Sequence, residues 1–254
     1  MYWISIIWID HHAHHVSIIK MECQLNINNC HLVVRALEEL YALGAISDAG
    51  TLSELGRKMS EFPLDPTFSK VIIKSAEYKC SMEVIAIISL LSVDAIFFTP
   101  SDKREQATEA RRKFLHVDGD HLTLLNVLKG YWEVKGDPEW CRENFINMRN
   151  MKIALDVRNQ LIQFCERLGI PPTTSCGTDT DQVLKCFLTG FFQNTALLQP
   201  DGSYKSVAGN QLVKIHPGSA MFTKRVEGIM YNELVSVVIS FSFLSQQMTR
   251  ETNV

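Results

Sequence analysis

Residues Asp118 to Leu168 read DGDHLTLLNVLKGYWEVKGDPEWCRENFINMRNMKIALDVRNQLIQFCERL, and this stretch decides the fold. Asp118-Gly119-Asp120 is a turn that ends on a residue suited to capping a helix N-terminus. Leu122, Leu125, Leu128 and Trp132 then recur at the spacing of one helix face. Gly136-Asp137-Pro138 breaks the pattern, and a second helical run is expected from Glu139 or Trp140. From Met148 it continues with Met151, Leu155, Ile162 and Cys165 on one side. Arg149, Lys152, Asp156 and Asn159 form a polar stripe on another. Gly169 and Pro171-Pro172 stop it. The stretch predicts a helical module with a packed core and one charged helix face. By itself it names no function.

Composition bounds what the module can belong to. The chain has 254 residues, enough for a sizeable core or for two or three small modules. Hydrophobic residues make up 46% and charged residues 21%, which fits a folded protein and excludes a disordered polyampholyte. The net charge of −3 provides no global basic field, so nucleic-acid contacts must come from local patches. Seven cysteines without a CxxC pair argue against a disulfide framework or a zinc site. Reduced thiols of a nuclear or cytosolic compartment are the natural reading.

The sequences GDHLTLLNV and WCRENFI, with Met151, Ala154, Val157-Arg158 and Gln160-Leu161, resemble the helicase-associated helical (ratchet) domain of DEAH-box RNA helicases. The resemblance extends to both sides. On the N-terminal side, RALEELYALGAI followed by ELGRKM and EFPLDP is similar to the winged-helix domain of the same family. Leu32–Leu43 is expected to be helical, Thr51-Leu52 extended, and Ser53 to cap a helix Glu54–Glu61. Arg57 and Lys58 are its only cations, so a packing role is favoured over nucleic-acid recognition. Thr67–Val93 reads as two apolar helices split near Cys80-Ser81. Cys80 beside that core run reads as a small buried hydrophobe rather than a reactive thiol. Lys103, Arg104, Arg111, Arg112 and Lys113 form the densest basic cluster. Interleaved acids make it a solvated helix face with charge pairs ahead of a phosphate contact.

Beyond the polar connector Pro171–Asp181, Gln182–Leu198 is expected to be helical. Phe187, Phe191 and Phe192 at helical spacing read as core before base-stacking platform. Tyr204–Val207, Gln211–His216 and Ile229–Val238 read as strands. This part resembles the family's oligonucleotide/oligosaccharide-binding (OB) fold, with His216-Pro217-Gly218-Ser219 in the place of a family loop motif. The expected fold is therefore mainly α with a β part: a winged helix, a helical ratchet bundle, and an incomplete OB-fold barrel. The expected boundaries are 31–66 for a partial winged helix, 67–181 for the ratchet domain, and 182–254 for a linking helix and the OB-fold. Residues 1–30 have no counterpart in the family. Their apolar start, MYWISIIWID, is too short to span a bilayer, and His11, His12, His14 and His15 read as a loose tract, not a metal site. The apolar run SVVISFSFLSQQ, residues 236–247, also departs from the family.

The resemblance implies a function. In the family, the ratchet domain and the motor enclose a strand of RNA. Arg149, Lys152, Arg158 and Asn159 are the RNA-facing candidates on the long helix. Arg158 lies within about 60° of Leu155 and Ile162 on a helical wheel, which also allows a packing role. In the OB part the candidates are Tyr204, Lys205, Lys214, His216 and Ser219, although His216 and Ser219 can equally serve to order a loop. Asp120 reads as a helix cap, and neither it nor His121 has a nearby nucleophile to serve. The chain contains no G-x-x-x-x-G-K-[ST] loop and no Asp-Glu-Ala-His, so no catalytic residues and no ATPase activity are expected of these residues alone. No cofactor is expected in this chain; ATP and Mg belong to the full-length family. The implied partners are single-stranded RNA, the motor domains and glycine-rich-patch activators, with no membrane. The implied settings are splicing or ribosome biogenesis in the nucleus. The alternative is a protein-interaction scaffold that docks helicase partners without binding RNA autonomously.

Overall fold

The computed structural model describes residues 27–234, with side chains from residue 33 onward. The expectations for the histidine tract and for the apolar run at 236–247 lie outside these residues. The described chain forms two compact units. One runs to Gly190 and also includes Ile215–Thr223; the other comprises Phe191–Lys214 and continues from Lys224.

The first unit is helical, and α4 (Ser81–Leu91) is its centre. Val84, Ile85, Ala86, Ile87, Ile88 and Leu90 are all buried. A helix apolar all round has to be enclosed by neighbours. These are α3 (Pro66–Ser75), α6 (Asp120–Glu133) and α8 (Met148–Arg167). Glu83 is buried in the first turn of α4 and accepts hydrogen bonds from the Ser175 hydroxyl and the Cys176 N–H. Met82 N–H donates to the Thr174 carbonyl at 2.9 Å. The polar connector after α8 is thus pinned over the start of the central helix. Burial and Glu83 together push the Cys176 thiol up to about 11. Cys80, split between two helices as expected, is fully buried.

At the N-terminal side, α1 (Ile27–Ala42) starts earlier than the sequence pattern indicates. Ser53 caps α2 (Glu54–Met59) by accepting from Gly56 N–H at 2.9 Å, while its own hydroxyl donates to Gly44 O. A bridge between Ile46 and Leu52 supplies the small extended pair of a winged helix. Leu43, Ala45 and Met59 form its core, with Leu40, Leu55 and Ile73 packed against them. Of the two cations on α2, Lys58 pairs with Glu54 at 3.0 Å.

The charged run forms α5 (Arg104–Arg112). After α6, helix α7 (Pro138–Glu143) begins at Pro138, slightly before the expected start. Proline suits the first helical position, and the Asp137 side chain accepts from Glu139 N–H at 3.2 Å. Helix α9 (Thr180–Phe191) ends well short of Leu198. Its Gly190 lies against α3, where a Cβ would stand 2.7 Å from both Thr67 O and Val71 Cγ2, so only glycine permits this approach.

Residues 195–198, expected as helix, instead form a strand. The second unit is an antiparallel sheet of order β3-β2-β1-β4: β1 (Thr195–Leu198), β2 (Tyr204–Ser206), β3 (Leu212–Val213) and β4 (Gly228–Met230). The strands are shorter than the apolar pattern suggests, and among the described residues the sheet is open. A four-residue apolar run carries no clear period, so its pairing with two neighbouring strands decides its state. Ala196, Tyr204 and Ser206 are buried on one face; Leu197 and Leu212 are exposed on the other.

Candidate nucleic-acid interface

Helix α8 carries the strongest site expectation, and its cap fixes where its side chains begin. The Asn147 side chain accepts from the N–H groups of Arg149 and Asn150 at 3.1 and 3.2 Å. From there the helix turns Met151, Ala154, Leu161 and Cys165 inward, all buried. Arg149, Lys152 and Asn159 are exposed together along the outer side. Among the described residues, neither Arg149 nor Lys152 has a salt-bridge partner.

Arg158 does not join them. It stands nine residues after Arg149, about 180° round the helix, amid the inward-facing set. Its guanidinium lies 5.0 Å from the centre of the Trp132 ring, and its Nε is buried without a hydrogen-bond partner. Burial lowers its pKa from the ordinary value. Arg158 therefore packs on Trp132, and the expectation that it faces outward with Arg149 is corrected by the direction the helix presents to α4.

Asp120 is also corrected. Gly119, with φ 118° and ψ −170°, takes the cap position and Asp120 is the first helical residue. Its carboxylate accepts from the Ser219 hydroxyl at 2.6 Å and from Ala220 N–H at 2.8 Å. The Ser219 oxygen in turn accepts from Met221 N–H at 3.1 Å. Arg111 extends toward the Gly218 carbonyl at 3.5 Å while its guanidinium lies over Phe97. The segment Ile215–Thr223 is thereby strapped to the start of α6. Ser219 is engaged in the strap. His216 is exposed, with Nδ1 accepting from Gly218 N–H at 3.0 Å, so it orders the loop. His121, next to Asp120, packs at 4.7 Å from the Phe187 ring with Nε2 buried and unpartnered. Burial pulls its pKa down to about 4, against a smaller opposing pull from Asp120.

The basic run on α5 is a solvent-facing helix surface with an internal charge pair, as its interleaved acids suggest. Arg112 pairs with Glu109 at 2.8 Å and Lys113 donates to Asn144 at 3.4 Å. In the sheet unit, Tyr204 is buried and its hydroxyl exchanges hydrogen bonds with the Val226 backbone, donating at 3.0 Å and accepting at 3.2 Å. Its ring therefore faces the sheet interior and presents no stacking platform. Lys205 lies in register with Leu197 and Leu212, on the exposed face. Lys214 is exposed. The structure thus leaves Arg149, Lys152 and Asn159 on α8 and His216 on the strap exposed in the helical unit, and Lys214 exposed with Lys205 half-buried in the sheet unit.

Sequence reasoning missed Trp132 as the seat of Arg158 and Asp120 as the anchor of the strap. The Trp132 position was legible as an aromatic at the end of an amphipathic helix. The anchor was not, because its partners lie 99 and 100 residues away. Among the described residues there is no group of three or more His, Cys, Asp or Glu placed to hold a metal, and no helix long and apolar enough to cross a membrane.

Comparison with known proteins finds likenesses along most of the chain. Residues 36–64 match the winged-helix part of the helicase associated domain (HA2), residues 65–124 its ratchet-like part, and residues 183–244 an oligonucleotide/oligosaccharide-binding (OB)-fold. The chain is 40% identical over 203 residues to the human ATP-dependent RNA helicase DHX33 and 39% identical over 203 residues to its mouse counterpart. The match covers 79% of this chain and 29% of each relative, so the chain spans under a third of their length.

Proposed function

This chain belongs to the DEAH-box RNA helicases as their C-terminal domain series, and from that premise we propose that it grips single-stranded RNA beside an ATP-driven motor. The observation that carries this reading is the outer side of α8, where Arg149, Lys152 and Asn159 stand exposed and neither cation has a salt-bridge partner among the described residues. Unpaired cations on a rigid helix lose little on meeting a phosphate, because no internal ion pair has to break. Lys205 and Lys214 offer further cations in the OB unit. Each neutralised phosphate contributes a slope of about −0.7 to the salt dependence on a single strand, so contacts from all four cations give about −3.

The test is fluorescence anisotropy of a labelled single-stranded RNA with the purified chain across a salt series. Micromolar binding that falls along this slope supports the reading. A folded sample that does not bind at low salt removes it.

One observation favours a second reading, that of a protein-docking module. Val33, Val34, Leu37 and Tyr41 of α1 are all at least 40% exposed and fall within about 100° of one another on the helix. An apolar stripe of this kind suits docking on the motor domains. Such docking resists salt, whereas phosphate binding does not. The motor, ATP with Mg, activator proteins, a nuclear setting and work in splicing or ribosome assembly belong to this same reading of the whole protein.

A further inference from the structure

An open cleft of about 480 Å³ lies at the corner between α7 and α8. Phe98, Pro138, Ile146 and Met148 give it apolar walls; Arg142 and Arg149 give it charge; none of its lining residues is acidic. Phe98 is 41% exposed, yet it is not loose. Its ring packs at 5.8 Å on Phe145, and its N–H donates to the Phe145 carbonyl at 3.0 Å. Phe145 itself holds a left-handed backbone conformation, φ 53°, a strained choice for a bulky side chain that the surrounding structure has to sustain. Arg142 is held by Glu139, while Arg149 has no salt-bridge partner among the described residues. A neighbouring cleft of about 530 Å³ shares Arg142 and adds Lys103 and Lys113, but three glutamates, Glu109, Glu139 and Glu143, also line it. The acid-free cleft is the one that favours a phosphate.

We infer that this cleft is a one-nucleotide subsite for single-stranded RNA, with the base against the Phe98 ring and the adjoining phosphate on Arg149. The inference rests on the RNA-binding reading above and assigns it a place. A rigid, half-exposed aromatic beside an unpaired arginine is the pairing that single-strand binders use. Stacking tolerates every base, and the arginine reads the backbone. The cleft is open to solvent, and a strand passing over it needs only one wall. Arg142, oriented by Glu139, positions the rim and does not carry the contact.

The experiment uses the full chain and a labelled oligouridylate. Phe98→Leu is expected to weaken binding about tenfold, within the range for one lost stack, and Phe98→Trp to retain parent affinity. Arg149→Gln is expected to weaken binding and to reduce the salt slope by about 0.7, the loss of one phosphate. Photo-crosslinking of unsubstituted protein with a 4-thiouridine strand is expected to label the Phe98 peptide, independently of any effect of substitution on folding. Parent binding that is indifferent to Phe98→Leu and Arg149→Gln overturns the subsite and leaves the RNA reading intact, as do crosslinks confined elsewhere. Competition by polyglutamate as effective as by RNA assigns the cleft to acidic peptides and overturns it too. A parent chain that binds no RNA overturns both.

Discussion

The two sides of α8 are made of similar residues put to opposite use. Arg149 and Arg158 sit on the same helix, and both were expected on its RNA-facing stripe. The outer one is exposed and has no salt-bridge partner among the described residues. The inner one is half-buried, its guanidinium over the partly exposed Trp132 ring and its Nε buried with no hydrogen-bond partner among the described residues. A cation outside costs the fold almost nothing and is free to bind. A cation inside is retained through its stem and its contact with a ring, and its charge is a liability that desolvation makes visible. Residue type therefore indicates little about role until the side of the helix is known.

The sharpest way to break this contrast is to empty the inner side. Leu161→Ala, at a fully packed position, is expected to destabilise the helical unit by about 2–5 kcal/mol, read from urea unfolding. A loss below about 0.5 kcal/mol would mean the inner side is not a packed core. A second unpartnered interior nitrogen, on His121, should respond to pH. The unfolded chain titrates near 6.5 and the buried ring is held down at about 4, so the unfolded state binds more protons between these values. Stability should be complete above about pH 6.5 and fall toward pH 4 by up to about 1.4 kcal/mol per pH unit. His121→Phe should flatten this slope, and an unchanged slope would place the effect on another group. Arg158→Ala comes next, with an expected cost of about 1 kcal/mol from lost packing and the ring contact. Its RNA affinity should remain at the parent value. Smallest is Arg149→Ala, which should leave the melting curve within about 0.5 kcal/mol of the parent while weakening RNA binding several-fold. If Arg158→Ala were the variant that lost RNA, the two sides would have to exchange roles.

Much of the helical unit was legible because its signals are local. Apolar spacing marked α4, α6 and α8, Ser53 announced its cap, and Gly136-Asp137-Pro138 announced a break. The position of Arg158 was also contained in the sequence. Nine residues at about 100° each carry it to the side opposite Arg149. Its neighbours Leu155 and Ile162 are only half-buried, which blurred the boundary of the apolar side. The sheet was less legible. A strand of two residues, Leu212–Val213, exists only because β2 pairs with it, and Leu197 and Leu198 read equally well as the end of a helix. Tyr204 looked like a stacking residue because hydroxyl-bearing aromatics suit that task, but its ring direction is set by register with Leu198 and Val213. Phe98 was passed over since the short run Ile96-Phe97-Phe98 ahead of Pro100 carries no period that tells the buried side from the exposed one. Asp120 was misread because a local explanation, the cap, was sufficient on its own.

The strap on Asp120 has a consequence for the order in which the protein is made. Its acceptor leaves the ribosome about a hundred residues before its donors, Ser219 and Ala220, so α6 begins life with a carboxylate waiting for chain not yet synthesised. The helices can collapse in sequence as they emerge, each from neighbours already present. The last native contact of that unit cannot form until most of the sheet that interrupts it has been translated. A gene cut after Gly190, at what looks like the end of the helical part, would encode a unit with its final stitch missing.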